Sequence, residues 1–229
     1  MGIHPNSEAV PDFKGWEVKQ YRVANDRGTG GGAITLFTPA PSLGLYSTMS
    51  VADFVMRFGY PDQSGKPDRR NFGGTYKANK PAYRLTNLTL SVSGYDAENN
   101  LITDLDGGIS LLTPQGEAAA VWPFSILIDK WRTKHQRTVY VPCRSRKEPR
   151  DQQYKFGRHI RLAQNTDFLL FIRGMAAGHV YLDPAISLVN VSTAPQVEHC
   201  RHQFRVRPTR LNELYEVVEV FDLLGDQTV

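Results

Sequence analysis

The segment Pro11-Asp-Phe-Lys-Gly-Trp-Glu-Val-Lys19 decides how this sequence is interpreted. Residues 16–23 alternate in polarity and are typical of a β-strand, in which side chains two positions apart share a face. Glu17 and Lys19 are therefore expected on one face of that strand. Asp12 precedes the strand across a turn at Gly15, from which its carboxylate can approach Glu17. Two carboxylates and the backbone carbonyl of Val18 form a hard oxygen site suited to Mg²⁺.

A lysine beside such a site can position water and stabilise the charge that develops on a phosphate. The pattern therefore indicates metal-assisted phosphodiester hydrolysis. The motif is short, and a surface strand with an ordinary Glu–Lys charge pair would explain it as well.

The charge distribution points to a polyanionic partner. The chain of 229 residues has a net charge of +4, but residues 130–161 contain eleven basic and two acidic residues, so this window carries +9 and the remainder −5. Such asymmetry indicates nucleic acid binding, with a solvated basic face as the alternative. Lys134, His135 and Arg158 of this window are candidate DNA contacts, and for His135 a partly buried packing position is an equal alternative. A second arginine cluster begins at Arg201.

Composition and local patterns predict a mixed α/β fold with a mixed sheet. A helix is expected from Ser50 to about Gly59, a long loop over residues 60–83, and a strand over residues 179–182 that ends at Asp183-Pro184. Pro208 is expected to open a final helix that reaches about Val217.

Other features exclude several classes of protein. No apolar run approaches the roughly 20 residues of a membrane-spanning helix, and the first residues do not resemble a secretory signal. With only Cys143 and Cys200 in the chain, a disulfide framework is not expected. A soluble, cytoplasmic protein is predicted. The segment His199-Cys200-x-His202 matches no paired-ligand zinc pattern.

The motif Pro11-Asp12 followed by Glu17-x-Lys19 resembles the PD-(D/E)XK nuclease signature in the short-spaced form of the mismatch-repair endonuclease MutH. Further segments resemble the MvaI/BcnI family of bacterial type II restriction endonucleases across nearly the whole chain. These segments are residues 34–39, 71–74, 131–135, 139–142 and 181–184, with Gln203-Phe-Arg205 near the end.

This resemblance implies a restriction-endonuclease-like core with a DNA-recognition subdomain. It implies Asp12, Glu17 and the Val18 carbonyl as Mg²⁺ ligands, Lys19 as the catalytic lysine, and products with a 5′-phosphate and a 3′-hydroxyl. The expected substrate is double-stranded DNA with a CCNGG-type site, with CCWGG favoured and the central base left open. Family members act as monomers that cut one strand at a time.

Residues late in the chain are expected to recognise the bases. Asp183 can accept a hydrogen bond from a cytosine amino group, and Arg201 or Arg205 can donate to guanine O6 and N7. His202 is a further candidate contact to a base or a phosphate. For Asp183, capping of an Asp-Pro turn remains an equal alternative.

Residues 1–229 are expected to form a single nuclease domain. Only eleven residues precede Asp12, where related nucleases have helical structure that sometimes contributes a glutamate, and Glu8 is the candidate here. Two alternatives stay open: a complete enzyme, or the C-terminal catalytic part of a longer protein with a further N-terminal DNA-binding domain. Two other functions also stay open, a DNA-binding module without activity and a MutH-like nicking enzyme.

Overall fold

The computed structural model describes residues 11–25, 31–147 and 152–225. The helices are α1 (Val51–Phe58), α2 (Phe124–His135) and α3 (Phe168–Ala176), with 3₁₀ turns at Leu45–Thr48 and Pro208–Glu213. The strands are β1 (Glu17–Arg22), β2 (Ile34–Phe37), β3 (Tyr60–Pro61), β4 (Arg69–Gly73), β5 (Thr89–Ser93), β6 (Tyr95–Asp96), β7 (Leu101–Ile102), β8 (Gly108–Leu112), β9 (Ala118–Pro123), β10 (Arg137–Lys147), β11 (Gln152–Phe156), β12 (His159–Gln164), β13 (Val180–Val189), β14 (Gln196–Val206) and β15 (Val217–Asp222).

Two larger sheets organise these strands. The first has the order β1-β10-β12-β15, with β11 paired to β10, and β1 runs parallel to β10 whereas the other pairs are antiparallel. The second has the order β2-β14-β13-β4-β3. Smaller sheets are formed by β5-β8-β9 and β6-β7. The mixed α/β class predicted from the sequence is therefore confirmed.

One hydrophobic core joins the described elements. Phe37 of β2 contacts Trp131 of α2, Phe171 of α3 and Phe204 of β14, with ring centroids 5.3 to 5.8 Å apart. Aromatic pairs at these separations add to the free energy gained by burial alone. This aromatic cluster holds α2 between the two large sheets.

The predicted helix α1 is confirmed. Ser50 is its N-cap, and the Ser50 side chain accepts a hydrogen bond from the backbone N–H of Asp53. Gly59 follows the last helical residue, as expected. No helix among the described residues is long and apolar enough to cross a membrane.

Three local predictions were wrong. Residues 60–83 are not a continuous loop, because β3 and β4 lie within them and extend the second sheet. Strand β13 continues past Pro184 to Val189. Its pairing with β4 begins only at Ala185, so the missing proline N–H removes no hydrogen bond to β4. After Pro208 the chain forms only a 3₁₀ turn before β15.

Candidate active site and DNA-binding surface

Strand β1 brings Glu17 and Lys19 to the edge of the first sheet. The tight turn before it is closed by two backbone hydrogen bonds between Phe13 and Trp16, of 2.9 and 2.8 Å. Gly15 adopts a φ of 79° in this turn, a conformation that glycine tolerates readily. Glu17 then lies beside Thr138 of β10, and Lys19 beside Tyr140. The predicted placement of Glu17 and Lys19 on one face is confirmed by their contact.

Glu17 is a buried carboxylate, only 3% exposed, that lies between two lysines. Its Oε1 atom is 2.5 Å from Lys19 Nζ and 3.5 Å from Lys134 Nζ. Its Oε2 atom is buried and has no hydrogen-bond partner within the described structure. A buried carboxylate oxygen without a partner is costly. This oxygen therefore fits a ligand for a divalent cation.

Asp12 is held by the backbone of β1. Its Oδ2 atom accepts a hydrogen bond of 2.8 Å from the Val18 N–H. In an extended strand the N–H and C=O of one residue point to the same side, so the Val18 carbonyl is directed to the side of Asp12. The described ranges contain no group of three His, Cys, Asp or Glu residues arranged to hold a metal. The Glu17 Oε2 atom is therefore the oxygen of this site that lacks a partner within the described residues.

A pocket of about 320 Å³ opens beside Lys19. The C-terminal half of α2 contributes Asp129, Lys130, Thr133 and Lys134 to it, and β2 with the following residues forms the opposite wall. Lys130 and Lys134 are four positions apart, so they share one helix face. Together with Lys19 they make this pocket electropositive, and a phosphate group suits it. In the sequence, the four-residue spacing of Lys130 and Lys134 indicates this wall of the pocket.

Asp183 and Arg205 are brought together across β13 and β14. Arg205 Nη1 donates to Asp183 Oδ2 at 2.6 Å, and Nη2 donates to the Ala33 carbonyl at 2.9 Å. Both side chains are about one quarter exposed. Arg201 lies on the same strand as Arg205 and is exposed. The structure therefore joins two of the predicted base-reading residues in one charge pair.

His135 and His202 were predicted as candidate DNA contacts, but the structure buries both side chains. His135 is fully buried, stacks on Trp131 with ring centroids 4.0 Å apart, and its Nδ1 lies 2.9 Å from the Tyr215 hydroxyl. Burial lowers the pKa of His135 well below its usual range, and the nearby charge of Lys19 acts in the same direction. The i, i+4 spacing of Trp131 and His135 within an apolar helix face indicates this core position.

His202 is 4% exposed, and its Nε2 lies 3.0 Å from the Tyr46 hydroxyl. Burial lowers the pKa of His202 to about 4. His202, Phe204 and Val206 alternate inward along β14, which is the period of two that a strand produces. A neutral, buried histidine cannot contact a phosphate or a base edge in this conformation.

Arg158 directly precedes β12 of the first sheet, away from the pocket that Lys19 lines. Its Nε atom donates to Asp222 Oδ2 at 2.9 Å, and its side chain is about half exposed. Lys134 and Arg158 are both accessible, but they lie in different pockets of the surface. The candidate Glu8 lies outside the described residues.

Comparisons with known proteins agree with this geometry. The sequence model of the MvaI/BcnI restriction endonuclease family matches residues 1–215. A comparison with curated protein sequences finds no match. The solved structure described as a complex of restriction endonuclease MvaI with its cognate DNA substrate has a TM-score of 0.68 and 18% identity, covering 95% of this chain and 82% of that chain. MvaI in the absence of DNA has a TM-score of 0.54 and 19% identity, covering 92% and 80%.

The family match spans most of the chain, and the structural matches show the same fold. The chain belongs to the MvaI/BcnI restriction endonuclease family and is a type II site-specific DNA endonuclease.

Proposed function

We propose that this endonuclease requires Mg²⁺ and cleaves duplex DNA at a CCNGG-type site, with CCWGG the favoured form. We further propose that it acts as a monomer that cuts one strand at a time. The buried Glu17 carboxylate carries the metal requirement, because one of its oxygens contacts Lys19 and the other has no partner among the described residues. The recognition site and the monomeric action are proposed from the family to which the chain belongs.

Asp12, Glu17 and the Val18 carbonyl would hold the metal. Bound Mg²⁺ supplies Lewis-acid chemistry and lowers the pKa of coordinated water. The protein itself holds the side chains of this site in fixed positions. The parallel pairing with β10 fixes the direction of the Glu17 and Lys19 side chains, and the Asp12 contact to Val18 fixes the turn. Fixed groups of this kind lose little entropy when the substrate binds.

Lys19 and Lys134 supply positive charge where a phosphate would lie. A phosphate in the adjoining pocket would place its oxygens near both ammonium groups, which stabilise negative charge as the P–O bond to the 3′ oxygen breaks. Lys19 Nζ can also donate a hydrogen bond that orients the attacking water. Hydrolysis then leaves a 5′-phosphate and a 3′-hydroxyl. Asp183 and Arg205 would present their joined polar groups to a C·G base pair, with Arg201 nearby.

The catalytic assignment is tested with Lys19→Ala and Glu17→Gln. Each change is expected to reduce cleavage of plasmid DNA in Mg²⁺ by at least about 100-fold, because a group aligned with the reacting phosphate is lost. DNA binding should persist in both variants. Lys66→Ala, which alters an exposed lysine between β3 and β4, is the control. Full cleavage by both active-site variants would refute the assignment, as would equal cleavage in Mg²⁺ and EDTA.

The substrate assignment is tested with DNA of known sequence. Sequencing of the fragment ends should place every cut within CCAGG or CCTGG. A monomer that cuts strands separately should accumulate nicked plasmid before linear plasmid. Cuts at unrelated sequences, or linear product without a nicked precursor, would contradict the corresponding part of the proposal.

A further inference from the structure

The hairpin formed by β10 and β11 is a ribbon with two chemically different faces. Arg144 lies opposite Lys155, and Ser145 lies opposite Tyr154. Because side chains alternate along a strand, Arg144, Arg146 and Lys155 share one face, whereas Tyr154 and Phe156 share the other. All five side chains are exposed. Among the described side chains, Arg144, Arg146 and Lys155 therefore form a basic face of the hairpin.

The basic face continues the face that carries the active site. Glu17 is the register partner of Thr138, and Lys19 that of Tyr140, so these four side chains point to one side of the sheet. Arg144 and Arg146 follow Tyr140 by four and six residues and point to the same side. At about 3.3 Å per residue they lie roughly 13 and 20 Å from the position beside Lys19.

A second pocket marks the base of this hairpin. It has a volume of about 230 Å³, and Arg144, Lys155 and Arg158 contribute to its lining. Arg158 is paired there with Asp222, so Arg144 and Lys155 give this concave surface the positive charge that favours an anion. The guanidinium group of Arg144 matches the geometry of phosphate oxygens.

We propose that the basic face of the β10–β11 hairpin binds backbone phosphates of duplex DNA that flanks the cleavage site. The proposal rests on the proposed endonuclease activity only in that it takes duplex DNA as the ligand. At a rise of 3.4 Å per base pair, Arg144 would reach about four base pairs from the scissile phosphate and Arg146 about six. Arg144 and Lys155 therefore position DNA and do not read its sequence.

The test compares two charge-matched double variants. Arg144→Ala/Lys155→Ala removes two cations from the hairpin face. Arg132→Ala/Arg137→Ala removes two exposed cations from the same basic window, and Arg137 lies on the opposite face of β10 because it precedes Thr138 by one residue. Thermal melting checks that both variants are folded. Binding is measured in EDTA, so that the DNA remains intact, over a range of salt concentrations.

The probe is a long duplex with one central CCTGG, flanked on each side by about twelve base pairs, so that positions about four to six base pairs from the cut lie well within it. On the long duplex, the hairpin variant should lose about 1.8 from the slope of log Kd against log salt, since each phosphate contact contributes about 0.9. The control variant should change the slope less than the hairpin variant on the long duplex.

Equal slopes for the two double variants would overturn the proposal, as would equal slopes for the hairpin variant and the unaltered protein. Failure of the endonuclease assignment is recognised separately. In that case the unaltered protein would not cleave the long duplex in Mg²⁺, whatever the binding slopes show.

Discussion

The buried Glu17 carboxylate is paired with lysines from two different elements. Lys19 lies two residues away on β1, whereas Lys134 reaches Glu17 from the last turn of α2, 117 residues along the chain. Two cations offset more of the cost of burying this carboxylate than one would. Lys134 is therefore expected to contribute to the reaction and not only to DNA affinity.

Lys134→Ala should lower the rate of cleavage at saturating DNA by about 100-fold, a magnitude typical for the loss of one aligned stabilising group. Lys130→Ala is the matched control, since Lys130 lines the same pocket one helical turn earlier. Single-turnover kinetics in Mg²⁺ measure both variants. A reduction of equal size for Lys130 and Lys134 would show that only the overall charge of the pocket matters.

His202 makes stability depend on pH. Its pKa is about 4 in the folded protein because of burial, and about 6.5 in an unfolded chain. Between these values protons bind the unfolded chain preferentially, so stability is complete above about pH 6.5 and falls as the pH drops toward 4. At pH 5 the His202 contribution to this loss is about 2 kcal/mol.

His202→Gln should remove about 2 kcal/mol of the stability difference between pH 7 and pH 5, because glutamine does not titrate in that range. Glutamine also retains a polar group for the Tyr46 hydroxyl. Urea unfolding at both pH values measures the effect, with the exposed His199→Gln as the control. The same pH dependence in the His202 variant and the unaltered protein would contradict this account.

At the scale of elements, a buried polar network fastens the end of α2 to the first sheet. The Tyr215 hydroxyl lies 2.9 Å from His135 Nδ1, 2.7 Å from the Tyr140 hydroxyl and 3.2 Å from Thr138 Oγ1. Burial raises the pKa of both tyrosines, so the two hydroxyls stay protonated. Since Thr138 is the strand neighbour of Glu17, this network lies directly behind the candidate active site.

Tyr215→Phe should reduce the free energy of unfolding by about 1–3 kcal/mol, because buried polar partners lose the hydroxyl. Tyr154→Phe, on the exposed face of β11, should change it by less than about 0.5 kcal/mol. Urea denaturation compares the two variants at pH 7. Equal stability of Tyr215→Phe and the unaltered protein would show that water replaces the hydroxyl.

At the scale of the whole molecule, residues of both large sheets belong to one hydrophobic core, in which Phe37 of the second sheet packs against α2 and α3. This side chain is 5% exposed and contacts both helices behind the active site as well as β14. A shared core makes independent unfolding of the two sheets unfavourable, because either sheet alone would expose the aromatic cluster. The candidate catalytic and recognition residues are therefore expected to unfold together.

Phe37→Ala should destabilise the protein by about 3–5 kcal/mol, the usual cost of deleting a buried aromatic ring. Unfolding followed by far-ultraviolet circular dichroism and by tryptophan fluorescence should remain coincident in urea. Phe156→Ala, at a ring that is 60% exposed, is the control and should have little effect. Two separate transitions in the unaltered protein would contradict a shared core.

Several features follow from sequence because they depend on residues that are close in the chain. The Glu17-x-Lys19 spacing places two side chains on one strand face, and the Ser50 N-cap with Gly59 sets the bounds of α1. The charge asymmetry and the resemblance of motifs also identify the nuclease family and duplex DNA as the class of partner. Each of these signals comes from residues close together in the chain or from a sum over a stretch of sequence. None of them therefore requires knowledge of the fold.

The tertiary structure alone decided which distant groups meet. Lys134 joins Glu17, Arg205 is tied to Asp183, and His135 and His202 are buried although charged residues surround them in the sequence. Burial and pairing of this kind depend on how helices and sheets pack, and the local pattern of a strand or helix end does not contain that information. The candidate catalytic motif can therefore be recognised near residue 17 from the sequence alone. Its electrostatic environment depends on a contact between residues more than 100 positions apart in the chain.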